Sequence, residues 1–100
     1  MNDKTRTLLG FASKSGRLVS GDNTCRAHKK SIWLVILSED CSEDTAQYYK
    51  KQYEDKCYQI GDRYELGLAI GKSPRTVIGI TNSQFAKSIV RSMAGSVDEK

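Results

Sequence analysis

Residues Gly16–Thr24 read GRLVSGDNT, and their two glycines stand in the GxxxxG spacing of a phosphate-binding loop. Such a loop requires Lys and then Ser or Thr directly after the second glycine, to hold the terminal phosphates and Mg²⁺. Here those positions are Asp22 and Asn23, and an acid repels phosphate. The GxGxxG dinucleotide fingerprint is also missing from the chain. The segment still has a distinctive build. A short apolar run, Leu18 and Val19, stops at Ser20-Gly21 and opens a helical pattern at Asp22-Asn23-Thr24. A strand that ends at a glycine and becomes a helix leaves unpaired backbone N–H groups at one spot, which suits phosphate or a nucleic-acid backbone.

Other reactive side chains give weaker patterns. The one histidine, His28, lies in the basic run RAHKK, with no carboxylate or nucleophile at a spacing that would make it a general base. It is expected at the surface. Glu39, Asp40, Glu43 and Asp44 read as capping and solvated residues; no motif makes them a magnesium site. Cys25, Cys41 and Cys57 are odd in number and lack CxxC spacing, so neither a disulfide framework nor a zinc site is expected. Cys41 follows two acids, a setting that raises a thiol pKa and disfavours a reactive nucleophile. No catalytic residue, cofactor or metal is expected.

The charge pattern favours a polyanion. The net charge of +4 is unevenly spread: residues 1–33 carry seven Lys and Arg against two acids, residues 34–66 four against eight, and residues 67–100 five against two. The two basic thirds can meet as one face, the footprint that RNA requires. Gly21, Asp22, Asn23 and Thr24 are expected to reach bases, with Lys14, Arg17, Arg26 and Lys29 on phosphate. A second loop, Lys72-Ser73-Pro74-Arg75, is expected beside them, a convergence that a parallel sandwich would permit. Asn23 and Thr24 read equally well as simple helix caps. Two other function classes compete: a protein-interaction module using Tyr48, Tyr49 and Tyr53, and a small phosphate-binding enzyme.

One hundred residues make one domain, expected over 1–95 with a frayed tail at 96–100. No apolar run approaches the ~20 residues that span a bilayer, and the start MNDKTRT lacks a signal-peptide core. A cytoplasmic protein is expected, with neither membrane nor DNA as a partner. The elements alternate. Helices are expected over residues 4–15, Asp22–Lys30, from Glu43 to about Asp55, from Asp62 to Ile70, and after Asn82 or Ser83. Strands are expected at Leu18–Ser20, Ile32–Leu37, Cys57–Ile60 and Thr76–Thr81. Asp40–Glu43 and Asp62–Glu65 both have capping-box spacing. The pattern predicts an α/β fold, a three-layer α/β/α sandwich around a mostly parallel four-stranded sheet.

Longer stretches carry a family resemblance. GFASKSGRLVSGDNTC, WLVILSED followed by CSEDT, YELGLAIGK and VIGITNSQFAKSI resemble the YlxQ-like bacterial proteins, in order and over nearly the whole chain. These fall in the superfamily of the archaeal kink-turn-binding ribosomal protein. The resemblance implies an α/β/α sandwich that binds RNA without catalysis, often at a kink-turn, with the ribosome as a candidate setting. It places a Gly-x-Asn-Glu type recognition motif on Gly21, Asp22, Asn23 and Thr24, so Thr24 stands where the family has glutamate. It places the second RNA contact after Leu66-Gly67-Leu68-Ala69-Ile70-Gly71, at Lys72–Arg75, which is polar and basic where the family is usually apolar. RNA binding with relaxed kink-turn selectivity is the expectation.

Overall fold

Helix α1 (Asp3–Lys14) opens the chain, capped by Asn2, whose side chain accepts from Thr5 N at 2.8 Å. Strand β1 (Leu18–Ser20) and helix α2 (Asp22–Ala27) follow, then β2 (Leu34–Leu37), α3 (Glu43–Tyr53) and a 3₁₀ turn at Glu54–Lys56. Strand β3 (Cys57–Gln59), α4 (Arg63–Ala69), β4 (Val77–Ile80) and α5 (Ser83–Gly95) complete the order. The computed structural model describes residues 1–95, so the expected frayed tail at 96–100 lies outside the described residues.

Both central strands are apolar on two faces, and this creates the three layers. Leu34, Ile36, Ile78 and Ile80 point to one side, where they meet Leu9 of α1, Leu66 of α4 and Ile89 of α5. Val35, Leu37 and Val77 point to the other, against Cys25 of α2 and Ala46 and Tyr49 of α3. Gly79 has no side chain for a reason: a Cβ there would lie 2.6 Å from Ile32 Cδ1, which crosses the sheet at that point.

The expected mostly parallel sheet is corrected. The strand order is β1-β4-β2-β3, and only β2 and β3 are parallel; β4 runs antiparallel to both of its neighbours, β1 and β2. The cause lies in the return from α4. A parallel crossover needs a helix that carries the chain back to the start of the sheet. Instead Gly71, at φ +72°, reverses the chain, and residues 72–75 climb back along α4. Lys72 N donates to Gly67 O at 2.8 Å and Arg75 N to Arg63 O at 3.1 Å. β4 therefore enters the sheet at the end from which β3 left.

Local boundaries moved for equally concrete reasons. α2 stops at Ala27 rather than Lys30, since Cys25 is its one buried residue and the following turn offers nothing to bury. β2 begins at Leu34 rather than Ile32. Of the two capping-box spacings, Asp62–Glu65 forms the reciprocal box. At α3 the cap is Ser42, which accepts from Thr45 N at 3.2 Å, because Asp40 is engaged by Arg63.

Candidate nucleic-acid interface

The end of the sheet where β1 finishes and β4 starts gathers the two segments singled out in the sequence. Ser20 stands opposite Ile78, and Gly21 N donates to Val77 O at 2.9 Å. The antiparallel β1–β4 pair makes this meeting possible. In a parallel pair the end of one strand and the start of its neighbour lie at opposite ends. Arg75 fastens the two segments together. Its Nε donates to Ser20 Oγ at 3.0 Å, and its Nη1 donates to Ser73 Oγ at 2.7 Å and Pro74 O at 3.2 Å. Arg75 is thus first a staple that shapes the loop, and it leaves Lys72, Ser73 and Pro74 exposed.

Gly21 takes φ +95°, which an L side chain rarely adopts, and it opens α2 without any side-chain cap. The first carbonyl used within the helix is Gly21 O, which accepts from Cys25 N at 2.9 Å. The amides of Asp22, Asn23 and Thr24 have no carbonyl partner among the described residues. Asn23 and Thr24 are exposed and their side chains make no hydrogen bond among the described residues, so neither acts as the helix cap.

Asp22 is different from its neighbours. Its carboxylate accepts from Arg26 Nε at 2.9 Å and from Tyr49 OH at 2.8 Å. The Arg26 guanidinium lies 3.8 Å over the Tyr48 ring. Partial burial alone would raise the Asp22 carboxyl, but the hydrogen bonds from Arg26 and Tyr49 and the Arg26 charge hold it below its ordinary value. Asp22 and Arg26 therefore brace α2 against α3. The three tyrosines expected to form a protein-docking surface are used the same way. Tyr49 is buried, Tyr53 stacks on it with ring centres 6.1 Å apart, and Tyr53 OH donates to Lys29 O at 3.4 Å. The rings face inward as part of the apolar packing on this side of the sheet, and their hydroxyls find the partners that burial demands. Tyr49→Phe should cost about 1 kcal/mol in a urea melt, the typical net worth of one hydrogen bond. An unchanged midpoint would show that the Asp22 bond carries no stability.

Not all the expected basic residues come to this place. Arg17 O accepts from Thr81 N at 2.9 Å, so Arg17 sits at the opposite end of β1 from Gly21. The three residues of β1 separate the two, four steps of roughly 13 Å in all. Lys14 ends α1 just before it, and Lys29 lies in the return from α2 to β2. Gly21–Thr24 and Lys72–Arg75 share one end; Lys14, Arg17 and Lys29 belong to the connections of the other. Two side chains on α4 lie outside the expected site. Tyr64 and Leu68 are 63% and 77% exposed, one helical turn apart beside the loop that packs on Gly67. The available signal was their position on the polar side of an otherwise well-patterned helix.

A four-stranded mixed sheet between helix layers, with a glycine-opened helix and a basic return loop at one end, defines a class of small α/β/α binding domain. The chain belongs to the ribosomal protein L7Ae/L30e/S12e/Gadd45 family, whose pattern it matches over residues 3–90, and this family is non-enzymatic. It is 33% identical over 92 residues to the RNA-binding protein YlxQ of Bacillus subtilis (strain 168), covering 83% of this chain and 88% of that protein. It is likewise 33% identical over 89 residues to the RNA-binding protein YlxQ of Enterococcus faecium, covering 84% and 85%. The likeness to YlxQ-like proteins is thereby borne out. Among solved structures, a protein of unknown function from Bacillus halodurans superposes with a TM-score of 0.83 at 29% identity, over 89% of this chain and 95% of the other. A 15.5kD RNA binding protein of Giardia lamblia shares the fold with a TM-score of 0.70 at 22% identity, over 98% and 91%. Among the described residues no helix is long and apolar enough to cross a membrane, and no group of three or more metal-ligating side chains assembles.

Proposed function

We propose that this chain is a non-catalytic RNA-binding protein that receives a structured RNA at the Gly21–Arg75 end of its sheet. The observation that supports this most directly is the Arg75–Ser20 bond, which holds the glycine-opened turn and the basic loop side by side. Asn23 and Thr24 offer free polar side chains to base edges, while Lys72 and Ser73 offer contacts to phosphate. Gly21 and Pro74 shape the two approaches, and Asp22, Arg26 and Arg75 hold them in register. The relatives named as RNA-binding proteins support the same reading. The RNA is a kink-turn or a similarly bent element, ribosomal RNA in a cytoplasmic ribonucleoprotein being the natural source. Since Thr24 cannot accept as a carboxylate does, selectivity for the kinked form is relaxed.

A gel-shift titration tests this with a kink-turn RNA and a matched plain duplex at two salt concentrations. Binding should weaken steeply with salt, because cationic contacts release condensed counterions. Asn23→Ala should lower the preference for the kink-turn RNA by roughly 1 kcal/mol or more, whereas Lys72→Ala should weaken both RNAs about equally and reduce the salt slope by about one. Equal affinity of the native chain for the two RNAs would remove the kink-turn reading. Absence of binding to either would remove the RNA reading altogether.

A further inference from the structure

The opposite end of the molecule holds an unassigned cleft of about 680 Å³, floored by Leu34 and Ala86 and walled by Trp33 and Val90. Trp33 is the only tryptophan in the chain, and it is 52% exposed. Its backbone is fixed just before β2, since Trp33 N donates to Ile80 O at 2.8 Å. A large aromatic half in water is costly to leave uncovered, and the backbone bond anchors its main chain at the mouth of the cleft.

The surroundings carry charge. Lys56, Lys87 and Arg91 line the cleft against one carboxylate, Asp55. None of the three cations is in a salt bridge among the described residues. Lys87 and Arg91 are four apart on α5, so they share one helix face along the cleft. Arg17, which did not join the Gly21 end, stands at this same end of the sheet but outside the cleft. Arg17 and Trp33 flank the end of β4 on either side, through Thr81 N and Ile80 O respectively. Two strand spacings separate them, roughly 10 Å. Lys29, also missing from the Gly21 end, lies in the connection that leads into Trp33.

An exposed aromatic ring within a groove of unpaired cations is the combination that holds single-stranded nucleic acid, the base stacking on the ring and the backbone following the charges. A neutral apolar partner would leave three cations unpaired at its edge. An anionic strand would neutralise them. We infer that the Trp33 cleft is a second RNA contact, taking an unpaired single-stranded segment that continues from the structured element bound at the Gly21 end. The inference rests on the RNA-binding reading above. It divides the basic residues into two groups. Lys72 meets the folded RNA, while Lys56, Lys87 and Arg91 hold the strand that leaves it.

The test uses the intact chain and two RNAs, an internal-loop duplex with blunt ends and the same duplex carrying a single-stranded ten-uridine tail. Affinity is read by anisotropy, and Trp33 itself reports contact through quenching of its fluorescence. The tail should tighten binding about tenfold and quench the indole, as stacking of one or two bases does. Trp33→Ala should abolish the tail's gain and leave the blunt duplex unaffected, while Trp33→Phe should keep most of it. Lys87→Gln with Arg91→Gln should reduce the tail's gain and flatten its salt dependence. If the blunt duplex binds but the tail adds neither affinity nor quenching, the cleft is not an RNA contact and the Gly21 site stands. If neither RNA binds, both readings fall. Should sedimentation show a dimer that Trp33→Ala dissolves, with the tail ignored, the cleft joins two copies of the chain and the inference is overturned.

Discussion

Gly67→Ala is expected to lower stability by about 1–3 kcal/mol and to weaken RNA binding more than any single charge removal, about tenfold or beyond. On helix propensity alone the change should help, since alanine is favoured over glycine inside a helix by ~1 kcal/mol. Packing opposes it with greater force. A Cβ on Gly67 would meet the Ser73 carbonyl and lie 2.9 Å from Pro74 Cα, and these are backbone atoms that no rotamer change can remove. The loop must lift from α4 or the helix must slide. Either movement strains the bond from Lys72 N to Gly67 O and the staple from Arg75 Nε to Ser20 Oγ. Gly10→Ala is the matched control. It too lies within a helix, but its Cβ would stand 3.3 Å from Ala69 O, a contact that a few tenths of an ångström relieves. Thermal melts and the gel-shift titration on both variants separate propensity from packing. A Gly67→Ala protein that melts and binds like the native chain would show that the loop does not depend on α4 for its position.

The same loop marks the boundary of what the sequence disclosed. Element types were legible because each rests on local patterning: the apolar run at Leu34–Leu37, the Asp62–Glu65 cap, the stop at Gly71. Strand direction was not legible, because it depends on whether residues 71–75 return along α4, and that needs the bare surface of Gly67 as well as the reversal at Gly71. Gly67 and Gly79 looked like ordinary residues of a helix and a strand; their meaning lies in Ser73 and Ile32, which reach them only in the fold. The site shows the same division. Gly21 and Asn23 could be picked out from the strand-to-helix punctuation. The inward turn of Asp22, the bracing role of Arg26 and the stapling role of Arg75 depend on Tyr49, Tyr48 and Ser20, far away in sequence. Charge counting suggested one basic face, whereas the antiparallel β4 sends the cations to both ends of the sheet.

Stability should fall steeply above about pH 9, and Cys25→Ala should flatten that fall. Burial, helped by the Asp22 charge, pushes the Cys25 thiol up to about 12, from the ordinary value of 9.0. Burial likewise pushes Cys57 up to about 11, and Tyr49 is also raised, by burial and by its bond to Asp22. A group whose folded pKa is raised contributes stability fully below its unfolded pKa, and that contribution is lost as pH climbs through the folded value. The window here runs from about 9 to 12. Within it the unfolded chain releases thiol protons that the folded chain retains, so alkali favours unfolding. Cys25 alone contributes at most about 1.4 kcal/mol per pH unit, a loss of roughly 2 kcal/mol between pH 9 and 11, and the half-buried Cys57 adds less because solvent screens it. That is a sizeable fraction of the ~5–15 kcal/mol by which domains of this size are stable. Urea midpoints followed from pH 8 to 11 check it. Cys25→Ala should start less stable, having lost a buried sulfur, and then decline less steeply than the native chain. Parallel slopes would mean that Cys25 is not what the alkaline state ionises. The consequence for binding follows from where this thiol lies. Cys25 is the single buried residue of α2, so the proton that keeps it neutral also keeps the Gly21 turn seated on the sheet.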